Sequence, residues 1–214
     1  MAQGKATVIK NAGSHFLLSE LPRWEPFEAV LKGKVRQKKS GATNPVAVGD
    51  RVIYSSTGEV SEKNPALIEQ VLPRENYLIR RSTNLSRTSH IIAANIDQAL
   101  IVTTLYFPEI KLPFLDRILL TCEVYGIKGV IVLNKVDLYR SEVPDQVEHF
   151  IDIYRSAGYT VLQTSTVSGE GIAELKELCR GKVSLLSGES GVGKSSLVNA
   201  IDPAIGAKTG LISQ

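Results

Sequence analysis

The chain has 214 residues, 43% of them hydrophobic, and 25 Lys and Arg against 22 Asp and Glu give a net charge of +3. That length suits one large domain or two small ones. No apolar run approaches the roughly 18 residues that span a bilayer, and the N-terminus MAQGKATVIK lacks the apolar core of a signal peptide, so a cytoplasmic protein with no membrane partner is expected. In chain order, residues 1–82 read as short strands separated by turn signals: ATVIK, then HFLLSE after Asn11 to Gly13, FEAVLKGKVRQ, DRVIY after Gly49, and ALIEQVL before Pro73. Five short strands with no convincing helix predict an all-β barrel of the OB type, although an SH3-like barrel has nearly the same pattern. Residues 1–95 carry 14 Lys and Arg against 8 Asp and Glu, whereas the remainder carries 11 against 14, so the basic character belongs to the barrel half. The cluster Lys32, Lys34, Arg36, Lys38 and Lys39 suits either an RNA phosphate backbone or a solvated hairpin tip.

The segment NLSRTSHIIAAN reads as a linker, with its boundaries placed at 83–95, and no internal repeat or low-complexity tract is found. From residue 96 to 214 the period changes: DQALIVTT, a helix around PFLDRILLTCEVYG, KGVIVLNK, a helix around PDQVEHFIDIYRSAG, YTVLQTS, a helix around GIAELKELCRG, and KVSLLSG. This alternation predicts parallel βαβ units in a mostly parallel sheet covered on both sides. In the first helix Leu115, Ile118, Leu119 and Cys122 mark one buried face, and in the second Val147, Phe150, Ile151 and Tyr154 do so. Cys122 and Cys179 are too few for a tetrahedral metal site and read as core residues. His15, His90 and His149 match no metal spacing.

The chemistry concentrates in three stretches. In SGESGVGKSS, Gly188 is followed after four residues by Gly193, Lys194 and Ser195, the spacing of a phosphate-binding loop between a strand and a helix. Gly188, Glu189, Ser190, Gly191, Val192 and Gly193 would turn backbone N–H groups toward phosphate oxygens. Lys194 would reach the β- and γ-phosphates, Ser195 would ligate Mg²⁺, and Ser196 follows on the helix. These make Lys194 and Ser195 the candidate catalytic residues. In VLNKVDL, Asn134, Lys135, Val136 and Asp137 leave a strand at the sheet edge where open α/β folds bind ligands. The Asp137 carboxylate can accept from the adjacent N1–H and N2–H₂ of guanine, a donor pair that adenine lacks. Alone, these four residues also suit helix capping, a reading that the phosphate loop beside them disfavours. Ser165 and Thr166, after the strand YTVLQ, occupy the place of a third, guanine-contacting loop, and they also suit an N-cap.

GTPases usually present the phosphate loop first, but here NKVD and TST precede GESGVGKSS, which is a circular permutation. With VGDRVIY, IEQVLPREN and IAANIDQALIV, this order resembles the ribosome small-subunit-dependent GTPase A family (RsgA, also called YjeQ), permuted GTPases preceded by an OB domain. The resemblance covers essentially the whole chain. It implies GTP binding and hydrolysis, a role in late maturation of the small (30S) ribosomal subunit, stimulation by that subunit, and contact with its rRNA; a monomer is expected. The family pattern continues with a γ-phosphate-sensing segment and a C-terminal Zn²⁺ domain, neither of which is read here, so no zinc ligands are assigned and the group that positions the attacking water is not in this sequence. The chain therefore reads as truncated, or as the ordered part of a longer one, with PAIGAKTGLISQ mobile and without a partner. Two other readings share the motifs: a nucleotide-gated RNA-binding module without turnover, and a P-loop ATPase with an accidental NKVD.

Overall fold

The computed structural model describes residues 2–33, 45–81 and 89–207, and the chain separates into two compact units, Met1–Ile96 and Asp97–Gln214.

In the first unit, period-two alternation builds a closed barrel from β1 (Ala2–Ala12), β2 (His15–Ser19), β3 (Phe27–Leu31), β4 (Arg51–Ser56) and β5 (Ala66–Val71). β1 turns Ala6 and Val8 inward, β2 contributes Phe16 and Leu18, and β5 adds Ala66 and Ile68. The strand order is β1-β2-β3-β5-β4, closed by β4 pairing back on β1. All pairs are antiparallel except β3 with β5, where Ala29 lies opposite Ala66. This order is that of an OB barrel and excludes the SH3-like alternative. The strand expected over FEAVLKGKVRQ is seen from Phe27 to Leu31. Lys34, Arg36, Lys38 and Lys39 lie outside the described residues, while Lys32 pairs with Glu69 at 3.0 Å.

Residues 89–94 do not behave as a linker. β6 (Tyr77–Arg81) and β7 (Ser89–Ala94) pair as an antiparallel ribbon, Ala94 donates its amide to the Val48 carbonyl at 2.9 Å, and Ile91 and Ala94 are buried. The polar run before Ile91 hides the strand, and the bond that fixes Ala94 runs to the distant Val48. Asn95, at φ 53°, then stitches the ribbon to the barrel, donating Nδ2 to the Gly49 carbonyl at 2.8 Å and accepting the Glu75 amide on Oδ1 at 2.9 Å.

The second unit is a four-stranded parallel sheet in the order β10-β9-β8-β11. Its elements follow one another as β8 (Gln98–Thr103), α1 (Leu112–Val124), β9 (Lys128–Asn134), α2 (Pro144–Ser156), β10 (Thr160–Thr164), α3 (Ile172–Cys179), β11 (Ser184–Ser187) and α4 (Lys194–Ile201). β8 is buried along its whole length, as expected when helices cover both faces. Leu100 and Val102 pack with Leu175 of α3 and Leu197 of α4 on one face. On the other, Ile101 and the Leu119 side chain of α1 close over Gly129, where an added Cβ would lie 3.1 Å from the end of Leu119. The buried stripes expected on α1 and α2 are present, with Ile118 half-buried at the margin. Cys122 is buried, and Cys179 packs half-buried beside Leu175 and Leu197.

Residues 203–207, expected to be mobile and without a partner, are instead held in place. Pro203–Ile205 form a helical turn capped by Asp202, and Asn199 clamps Ala207 by two hydrogen bonds, 2.9 Å from Nδ2 to its carbonyl and 2.7 Å from its amide to Oδ1. A polar side chain on α4 thus supplies the partner that hydrophobic periodicity could not reveal. Residues 208–214 lie outside the described residues.

Candidate functional site

All three motif stretches leave the carboxyl ends of strands of the one parallel sheet: Asn134 ends β9, Thr164 ends the adjacent β10, and Ser187 ends β11, on the far side of β8. The phosphate loop spans Gly188 to Gly193 and runs into α4 at Lys194. Two of its glycines are dictated by geometry. At Gly188 (φ 149°) an added Cβ would lie 2.2 Å from the Val102 carbonyl oxygen, and at Gly193 (φ 95°) it would lie 2.5 Å from Asn134 Nδ2. A side chain at either position would drive the loop off the sheet edge and out of the backbone geometry that aims amides at an anion. Glu189 is half-buried, Ser190 and Gly191 are exposed, Val192 is buried in the core, and Ser195 and Ser196 are half-buried in the first turn of α4. The loop, the lysine and the hydroxyl at the helix start therefore fit a magnesium-bound polyphosphate.

Lys194 folds back on its own loop, donating Nζ to the carbonyls of Gly188 at 2.8 Å and Glu189 at 2.5 Å. Burial pushes its pKa below the ordinary lysine value, with the Glu189 carboxylate opposing the shift. An arriving phosphate would replace carbonyl dipoles with a full charge.

Asn134 joins the two motifs. It is buried, donates Nδ2 to the Val192 carbonyl at 2.8 Å, and accepts the Thr164 hydroxyl on Oδ1 at 2.9 Å. Its backbone carbonyl accepts the Tyr139 hydroxyl at 2.7 Å. One side chain thus holds the ends of β9 and β10 and the phosphate loop in a fixed relation. Lys135, in the left-handed region at φ 61°, bridges the carbonyls of Phe107 at 2.7 Å and Gly191 at 2.6 Å. Burial lowers its pKa, and Asp137 opposes the shift. Val136 is buried and anchors the turn Val136–Leu138, which leaves the Asp137 carboxylate exposed at the rim.

Ser165 organises its loop from within. Its Oγ accepts the amides of Val167 at 3.2 Å and Ser168 at 3.1 Å, and its own amide donates to the Glu170 carbonyl at 3.0 Å. Thr166 stands exposed beside it. Arg140 binds Glu170 through both guanidinium nitrogens, at 2.5 and 2.8 Å, tying the segment after NKVD to this loop. Tyr139 and Lys111, whose Nζ lies 2.9 Å from Glu189, complete the site without any motif to announce them, while Thr164, the first residue of the TST stretch, joins it through Asn134. In the sheet Thr164 lies directly opposite Asn134. An apolar cavity of about 900 Å³ between α1 and α2, lined by Leu112, Leu120, Phe150 and Ile153, contains none of the loop residues. The motif residues instead gather at the open sheet edge.

Comparison with known proteins places this geometry. The model of the RsgA GTPase family matches residues 71–214. The small ribosomal subunit biogenesis GTPase RsgA of Porphyromonas gingivalis is 43% identical over 207 residues, 97% of this chain and 65% of that protein. The corresponding protein of Christiangramia forsetii is 42% identical over 98% of this chain and 66% of its own length. The chain thus spans about two thirds of the length of these relatives. The crystal structure of YjeQ from Thermotoga maritima superposes with a TM-score of 0.75 at 34% identity, covering 94% of this chain and 66% of that one. That of YloQ, a circularly permuted GTPase, gives 0.70 at 27% identity over 95% and 66%. By sequence, motif order and fold, the chain belongs to the RsgA GTPase family.

Proposed function

We propose that this protein is a guanine-nucleotide-binding GTPase of small ribosomal subunit biogenesis, working in the cytoplasm as a monomer, with 1–82 as an OB-type RNA-binding domain that the strand Ser89–Ala94 extends and 96–214 as the permuted nucleotide domain. The observation that carries the reading is Asn134: its bond to Val192 locks the NKVD strand end to the phosphate loop although the two are reversed in sequence. A base reader and a phosphate cradle held by one buried amide suit a single nucleotide spanning both.

In this reading Asp137 accepts from guanine, the Lys135 stem flanks the base, and the 165–166 turn offers backbone to it. The loop amides and Lys194 hold the phosphates, and Ser195 holds Mg²⁺, which supplies neutralisation of the charge on the β- and γ-oxygens. Phosphoryl transfer then depends on positioning and charge, with Lys194 the side chain that moves from loop carbonyls to phosphate. The name shared by the curated relatives supports the small subunit as partner. The excess of Lys and Arg over Asp and Glu in residues 1–95 supports contact with its rRNA. No described helix is long and apolar enough to cross a membrane.

Two measurements test the proposal. Displacement of fluorescent GDP by unlabelled GDP but not ADP is expected; equal displacement by ADP would favour the ATPase reading. Co-sedimentation with isolated small subunits is expected to weaken linearly with the logarithm of salt and to flatten when Lys32, Lys34 and Arg36 are neutralised. An unchanged salt slope would remove that cluster from the RNA contact.

A further inference from the structure

Glu189 is the one acidic residue between Gly188 and Ser196. A carboxylate in a phosphate loop opposes the polyphosphate the loop is shaped to hold, and this one already acts on Lys194, raising its pKa against the effect of burial. Its side chain, only 23% exposed, does not turn freely into water: Lys111 Nζ holds it at 2.9 Å. Lys111 lies at the end of the loop that follows β8, directly before α1. The same loop braces the phosphate loop elsewhere, where the Phe107 carbonyl shares Lys135 with that of Gly191 and where Pro108 comes within 3.7 Å of a Cβ placed on Gly191.

We propose that Lys111 is a positioning residue for the phosphate site, neutralising Glu189 and holding its carboxylate aside so that Lys194 is available to phosphate. Without Lys111, Lys194 becomes the cation that compensates Glu189, and an incoming phosphate has to displace that interaction. The loop after β8 thereby sets the charge of the phosphate loop from outside it. The inference rests on reading 188–195 as a nucleotide phosphate site.

The test is a double-mutant cycle, in which fluorescent GDP and GTP are titrated into the chain and its Lys111→Ala, Lys111→Arg, Glu189→Gln and doubly substituted forms. Because the Lys111 side chain is 70% exposed, Lys111→Ala is expected to weaken GDP binding by only about two- to fivefold. The loss should be larger for GTP, which brings more negative charge, and should shrink at high salt. Lys111→Arg should restore affinity, and on the Glu189→Gln background Lys111→Ala should have no further effect. Wild-type affinity in Lys111→Ala, or an undiminished defect on the Glu189→Gln background, would overturn the proposal. Failure of the unsubstituted chain to bind either nucleotide would instead remove the phosphate-loop reading itself, and the inference with it.

Discussion

Thr164 shows how much of the site depends on one hydroxyl. It is buried and donates to Asn134 Oδ1, while Asn134 Nδ2 reaches Val192. Thr164→Val keeps the shape of the side chain and leaves a buried amide oxygen without its donor. The expected cost is about 1–3 kcal/mol of stability, together with weaker GDP binding as Asn134 loses its orientation. Urea unfolding and GDP titration check both, and an unchanged midpoint with unchanged affinity would show that Asn134 is held by other contacts. Asp137 stands at the opposite extreme. It is exposed and engaged by no side-chain hydrogen bond among the described residues, so its substitution should cost base recognition without costing the fold.

At the scale of elements, the first unit is fastened by a buried ion pair that the motif VGD does not announce. Asp50 is fully buried, receives the Arg74 guanidinium through Nε at 2.6 Å and a terminal nitrogen at 2.7 Å, and accepts the Ala47 amide at 2.8 Å. It pins the turn before β4 to the segment after β5, next to Gly49, where an added Cβ would lie 2.0 Å from the Ala94 carbonyl oxygen. Asp50→Ala strands the guanidinium of Arg74, whose side chain is 18% exposed, and should destabilise this unit by about 3 kcal/mol. Amide exchange should accelerate at Ala47, which loses its acceptor; unaltered protection there would mean that packing alone holds the turn. The elements of the second unit were easier to read because each strand is a continuous apolar run and each long helix has an apolar stripe. The β6–β7 ribbon was hidden because its strands are short and its stabilising bonds run to Val48 and Gly49.

For the whole molecule, the order of elements was legible because the spacing of GESGVGKS and the strand preceding NKVD are local properties of the sequence, and both strand ends fall on one edge of a parallel sheet. The clamps were not legible: Asn134 to Val192 spans 58 residues, and Lys111 to Glu189 spans 78, with no periodicity linking either pair. Circular permutation changes which strand ends are joined and leaves these contacts in place, which is why the reversed order preserves a site. In the proposed function this reassembled edge reads guanine through Asp137. Calorimetric titration of GDP and XDP into the chain and its Asp137→Asn form tests it most directly. The substitution should weaken GDP binding by about 2–3 kcal/mol, the scale of a hydrogen bond to a charged group, and shift preference toward XDP, which carries an acceptor where guanine has N2–H₂. An unchanged preference for GDP over XDP in Asp137→Asn would contradict it and remove Asp137 from the base site.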